Sequence, residues 1–99
     1  MLINEKQENG TIILMLKGRL DTITSQQFQD ALIPAFDKAK EIKLDFAGVE
    51  YISSAGLRVL SMGHRAAKTK DIPMVLTNIS DKVMEVFDIT GFTDQLTIV

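Results

Sequence analysis

Two serines stand side by side in the segment Tyr51-Ile52-Ser53-Ser54-Ala55-Gly56-Leu57. A hydroxyl where a strand gives way to a helix has two uses. It caps the free amides of the first helical turn. Or it accepts a phosphoryl group, because those same amides carry positive partial charge and tolerate an anion. A phosphate on Ser54 would add about -1.5 to -2 charges to the surface. A partner that had received a neutral hydroxyl would then meet a bulky dianion, which makes a binding switch from one group. Cap and modification site both stand on the residues alone. Asp21 belongs to the same picture. It closes one strand as Ile52 and Ser53 follow the end of another, and loops at one edge of an α/β sheet cluster. Asp21 is either an exposed turn carboxylate or a contact to a partner or to a kinase's nucleotide-bound metal ion.

Other chemistries lack their residues. His64 is the only histidine and there is no cysteine, so zinc has no ligand set. Ser54 is preceded by Ser53 and followed by Ala55-Gly56, which is not the G-x-S-x-G elbow of a hydrolase. On a shared helix His64 lies about 15 Å from Ser54 by helical rise, too far to serve as its base. Neither a G-x-x-x-x-G-K-[ST] phosphate loop nor a G-x-G-x-x-G turn is present. These residues argue against an enzyme and against a bound cofactor or metal.

The elements that must hold the serines are readable from pattern. The 99 residues contain no repeat and no low-complexity linker, so residues 1-99 read as one domain. Leu2 to Gln7 and Thr11 to Lys17 are strand candidates joined by the Asn9-Gly10 turn, a hairpin signal. The second is expected to be buried on both faces in its middle. Gly18-Arg19-Leu20-Asp21 ends it, and Thr24 or Ser25 is placed to cap a helix. Phe28, Ala31, Leu32, Ala35, Phe36 and Ala39 recur at helical spacing, with Pro34 predicting a kink or an early end. Glu41 to Phe46 reads as a strand and Ala47 to Ile52 as a connecting loop. A helix then opens at Ser53 or Ser54 and runs to about Lys68, with Gly56, Leu60, Gly63 and Ala67 on one face. Met74 to Thr77 is a short strand. Ser80 caps a third helix carrying Val83, Val86 and Phe87, stopped by Gly91. Gln95 to Val99 is a final short strand. The order β-β-α-β-α-β-α-β predicts an α/β domain with a mixed sheet of four to five strands packed by helices. Outside the small-residue stripe, Leu57 and Met62 with Arg58 and Arg65 form either an exposed interface patch or the margin of the core.

Bulk properties narrow the partners. Eleven basic and thirteen acidic residues leave a net charge of -2, so no basic excess draws the chain to nucleic acid or to an anionic membrane. The longest apolar run, Ile12 to Leu16, falls far below the ~20 residues that span a bilayer. The start Met1-Leu2-Ile3-Asn4-Glu5-Lys6 has no signal-peptide pattern. Absence of cysteine suits the cytoplasm. Nothing demands more than a monomer.

The segment Asp45-Phe46-Ala47-Gly48-Val49-Glu50-Tyr51-Ile52-Ser53-Ser54-Ala55-Gly56-Leu57-Arg58-Val59-Leu60 resembles a STAS domain of the bacterial anti-sigma factor antagonist kind. That family shows D-F/L-x-x-V, a hydrophobic pair, then D-S-S/T-G-L-x-x-L. Gly18 to Thr24 is similar to the family's G-x-L-D-x-x-T/N segment, and Val86 to Phe92 to its closing L-x-x-T-G-L. The resemblance spans nearly the whole chain. It implies that Ser54 is the phosphate acceptor, with Asp21, Thr24, Ser53, Gly56, Leu57, Arg58 and Met62 at the partner face. It also implies partners: a serine kinase that doubles as an anti-sigma factor, bound by the unphosphorylated form, and a PP2C-type phosphatase that restores it. The alternative within the family is a STAS adaptor subunit of a transport or signalling complex, with no phosphorylation cycle. The chain departs from the pattern at two positions. Ser53 replaces a frequent Asp, which removes a negative charge and supplies a competing acceptor. Ala55 replaces a Ser or Thr, which removes another.

Overall fold

The computed structural model describes residues 1-99. The chain forms β1 (Leu2–Glu8), β2 (Thr11–Leu20), α1 (Ser25–Ala35), β3 (Glu41–Ile52), α2 (Ser54–Lys70), β4 (Met74–Thr77), α3 (Asp81–Thr90), a 3-10 turn (Phe92–Asp94) and β5 (Thr97–Ile98). The strands lie in the order β1-β2-β3-β4-β5. The β1–β2 pair is antiparallel and the other three pairs are parallel. The expected mixed α/β sheet is therefore present, with five strands.

The hairpin turn follows from its residues. Asn9 and Gly10 both take positive φ, 51° and 88°, the backbone that a two-residue hairpin requires. In the sheet, side chains alternate between faces. Neighbours Ile12, Ile42 and Met74 in one row, and Leu14, Leu44 and Leu76 in the next, are all buried. Ile13, Lys43 and Val75, on the opposite face, are only half-buried. So the middle of β2 is not buried on both faces, as its apolar run suggested. The core lies on one face, where Phe28 and Leu32 of α1, Val59 and Leu60 of α2 and Phe87 of α3 cover the sheet. Phe46 and Phe87 meet edge to face with ring centroids 6.4 Å apart.

The largest departure from the sequence reading is β3. Ala47 to Ile52 is strand, not loop. Pairing with β2 continues through Lys17↔Gly48, Gly18↔Val49, Arg19↔Tyr51 and Leu20↔Ile52, carried across two register shifts. The shifts break the alternation that a sequence reading relies on. Gly18, at φ 120°, stands at the second, and Gly48 is what allows the first. A Cβ there would stand 2.9 Å from the Leu16 carbonyl oxygen and 3.0 Å from Lys17 Cα, so the two backbones approach where only glycine fits. The strands β2 and β3 thus reach the serines together.

Helix ends also moved. Pro34 brings an early end rather than a kink. The N–H groups of Phe36 and Asp37 turn back to the carbonyls of Ile33 and Pro34, and α1 stops at Ala35. Helix α2 runs to Lys70, two residues beyond expectation, and closes on Asp71 at φ 56°. Ser80 caps α3 by accepting from the Val83 amide at 3.3 Å, and Gly91 stops it at φ 80°, as expected. Strand β5 is shorter than read, because the 3-10 turn and the Leu96 amide bond to Phe92 take up the preceding residues.

Candidate functional site

Strands β2 and β3 end side by side; β3 enters α2 through Ser53 alone, and β2 enters α1 through the turn of residues 21–24. The Ser53 amide donates to the Leu20 carbonyl at 2.8 Å, which ties the two exits together. Asp21 follows Leu20, so the structure brings Asp21 and the serine pair to one rim of the sheet, as the clustering argument required.

The β2 exit is held by side-chain hydrogen bonds from Asp21 and Thr24. Asp21 Oδ1 accepts from the amides of Ile23 and Thr24, each at 3.0 Å. The Thr24 hydroxyl accepts from the Asp21 amide at 3.0 Å and donates to the Arg19 carbonyl at 2.6 Å. The Asp21 carbonyl accepts from Ser25 N at 2.9 Å. This reciprocal arrangement makes Asp21 the working cap, with residues 22-24 as an extra turn ahead of α1. Neither Thr24 nor Ser25 fills that role with its side chain: Thr24 makes no cap bond onto α1, and Ser25 Oγ donates to the Thr22 carbonyl. The hydrogen bond from the Thr24 amide holds the Asp21 carboxyl below the usual carboxylate range. The Thr24 hydroxyl, the Ile23 amide and the Arg19 charge work in the same direction, against the opposing effect of partial burial. The D-x-x-T spacing was the signal for this cap.

The β3 exit is built differently. Ser53 occupies the N-cap position of α2 with extended backbone, φ -97° and ψ 175°, yet its side chain makes no capping bond. Its hydroxyl is buried and has no hydrogen-bond partner. Ser54 is the first residue of α2 and is exposed. The expected serine cap is therefore absent at both positions. Helix α2 is held instead by close packing. A Cβ on Gly56 would lie 2.9 Å from Ile52 Cγ1 and 3.2 Å from the Leu20 carbonyl oxygen. One on Gly63 would lie 2.8 Å from Leu32 Cδ2. Both glycines, at about 1 kcal/mol of helix propensity each, let the helix settle onto the sheet and α1.

Residues on α2 divide cleanly. Gly56 and Leu57 are buried, Met62 is half-buried, and Arg58 and Arg65 are exposed. An exposed Leu57–Met62 patch does not form. Leu57 is 8% exposed and belongs to the core cluster, because it sits on the inward side with Leu60. Along α2 after Ser54, Arg58 and Arg65 are exposed to solvent.

Sequence reasoning missed a shallow open groove next to this rim. It has a volume of about 530 Å³ and is lined by Gly18, Arg19, Ala47, Gly48, Glu50, Tyr51 and Lys82. The Arg19 guanidinium lies 4.0 Å from the Tyr51 ring centroid, a cation–π contact. With Ala47 to Ile52 read as a loop, the pairing of Arg19 with Tyr51 could not be seen. No group of three or more His, Cys, Asp or Glu side chains gathers anywhere. No helix is long and apolar enough to cross a membrane.

Comparison with known proteins gives one family. BtrV of Bordetella bronchiseptica, provisionally named an anti-sigma factor antagonist, is 33% identical over 85 residues, covering 85% of this chain and 73% of that protein. The anti-sigma-B factor antagonist of Bacillus subtilis is 25% identical over 96 residues, covering 97% and 88%. Among solved structures, the anti-sigma factor antagonist SpoIIAA in its unphosphorylated form superposes with a TM-score of 0.83 at 19% identity, covering 99% and 88%. The phosphorylated form of SpoIIAA from Bacillus gives 0.77 at 18%, covering 99% and 91%. At those identities the superpositions establish the fold. The profile of the STAS domain matches residues 3–99, and with it the chain belongs to the STAS domain family.

Proposed function

We propose that this chain is an anti-sigma factor antagonist that works by binding and is switched by phosphorylation of Ser54. In its unphosphorylated form it binds, in the cytoplasm and as a monomer, a serine kinase that is also an anti-sigma factor. That binding frees the kinase's target. Transfer of phosphate to Ser54 ends the binding, and a PP2C-type phosphatase restores it. The observation that carries this reading is the contrast between two adjacent hydroxyls. Ser54 is exposed at the first position of α2, where a kinase can reach it, while the Ser53 hydroxyl is closed off from solvent. This supports Ser54 as the acceptor over Ser53. The names of the relatives support the antagonist role. Asp21 and Thr24 hold the neighbouring turn, so their part is to shape the docking rim, and Gly56 and Leu57 support α2 from below.

The test is co-purification of the chain from its host with and without Ser54→Asp, followed by intact-mass analysis of the captured kinase acting on the wild-type and Ser54→Ala chains. A kinase retained by the wild type and by Ser54→Ala, lost by Ser54→Asp, and unable to modify Ser54→Ala is the expected result. Phosphate on Ser54→Ala would remove the site assignment. Equal retention by all three chains would remove the switch.

A further inference from the structure

Helix α2 carries Arg58, Arg65, Lys68 and Lys70 and not one Asp or Glu, in a chain whose net charge is -2. Of these cations only Lys70 has an ion-pair partner, Asp37 of the loop after α1. Arg58 is exposed, makes no salt bridge and no side-chain hydrogen bond, and stands at the fourth position after Ser54. On a helix, side chains at that spacing are neighbours, with Cβ atoms about 5–6 Å apart. An anion N-terminal to a cation is the favourable orientation for such a pair.

We propose that Arg58 is the receiving residue for phosphate on Ser54, folding back one turn to hold it against α2. The inference rests on the phosphorylation reading and deepens it. An arginine fork matches phosphate oxygens better than a lysine does, because it can donate two parallel N–H bonds. The surface around the pair favours this direction. On the strand side of the rim the Asp21 carboxylate is ionised and already engaged by Ile23, Thr24 and Arg19. On the helix side the exposed line is cationic. A phosphate on Ser54 is pushed from the first and drawn to the second. The modification then alters the docking surface twice. It adds a dianion, and it takes the cation one helical turn from Ser54 out of reach of a partner.

The experiment is a phosphorus NMR pH titration of the chain carrying phosphoserine at position 54, inserted during translation so that no kinase is involved. With Arg58 present the second phosphate pKa is expected about half a unit below that of the same chain with Arg58→Gln, the size expected of a solvated helix ion pair with a dianion. Arg58→Lys should recover part of the shift, and Arg65→Gln should leave it intact. Added salt should narrow the gap. A phosphate pKa unchanged by Arg58→Gln, or moved equally by Arg65→Gln, overturns the proposal. Arg58 is exposed, so these variants keep the fold, which circular dichroism checks. Because the phosphate is installed chemically intact, this outcome is independent of whether a kinase ever acts on Ser54. That separate failure would appear in the mass analysis above.

Discussion

Two strand-to-helix junctions lie next to each other and solve the same problem in opposite ways. At the β2 exit the Asp21 and Thr24 side chains are both used: each bonds the other's amide, and Thr24 also secures the Arg19 carbonyl. At the β3 exit the capping position holds a serine whose hydroxyl bonds nothing. The first junction is a fixed frame. The second leaves its serine hydroxyls unbonded and relies on glycine-mediated packing. Under the proposed phosphorylation of Ser54, a fixed neighbour and an edge whose hydroxyls are uncommitted suit a site that gains and loses a charged group.

The comparison breaks in stages. The largest effect belongs to Ser54→Asp, which places a carboxylate at the exposed edge. Binding of the captured kinase, followed by calorimetry, should weaken about a hundredfold, roughly 2.7 kcal/mol, the scale of a charge set against an unwelcoming interface. Ser54→Ala should stay near wild type. Next comes Gly56→Ala. Its Cβ would press on Ile52 Cγ1 and on Leu20, so overpacking of about 1–3 kcal/mol is expected in urea unfolding. A smaller pair of changes tests the contrast directly, since each removes one hydroxyl. Thr24→Ala breaks the capped turn and should cost about 1 kcal/mol. Ser53→Ala removes an unsatisfied buried hydroxyl and should leave stability unchanged or raise it by up to about 1 kcal/mol. Equal losses at both positions would show that the junctions are not different. The smallest effect is in pH. The Asp21 carboxyl sits below its ordinary value in the folded chain. Its contribution is therefore present above the unfolded-state value of about 4 and is lost as pH falls from there through the folded value. Asp21→Asn should flatten that part of the stability–pH curve, read by thermal melts between pH 5 and about 2.5.

Much of this was legible beforehand. The hairpin turn, the third helix with its Ser80 cap and Gly91 stop, and the small-residue stripe of α2 all followed from local chemistry, because one or two residues decide each. The β3 extension did not. Its Ala47-Gly48 step reads as a break, and only the opposing Lys17 backbone makes glycine a requirement for continuing the strand. Position at the site was readable, but role was not. The motif placed Ser53 beside the proposed acceptor, yet whether a serine hydroxyl caps its helix or lies idle depends on a side-chain rotation that tertiary packing sets. Leu57 shows the same limit. Its helical phase left core and surface open, and contact with the rest of the core settled it.

A single amide joins the two junctions. The Ser53 N–H is bound to the Leu20 carbonyl, and Gly56 packs upon Leu20 and Ile52. That proton can leave for deuterium only when the exits of β2 and β3 part. Its exchange rate is a built-in gauge of how often the rim opens. Measured in the bare chain, in the chain with phosphoserine at position 54, and in complex with a partner, it would report from inside the site without any added label.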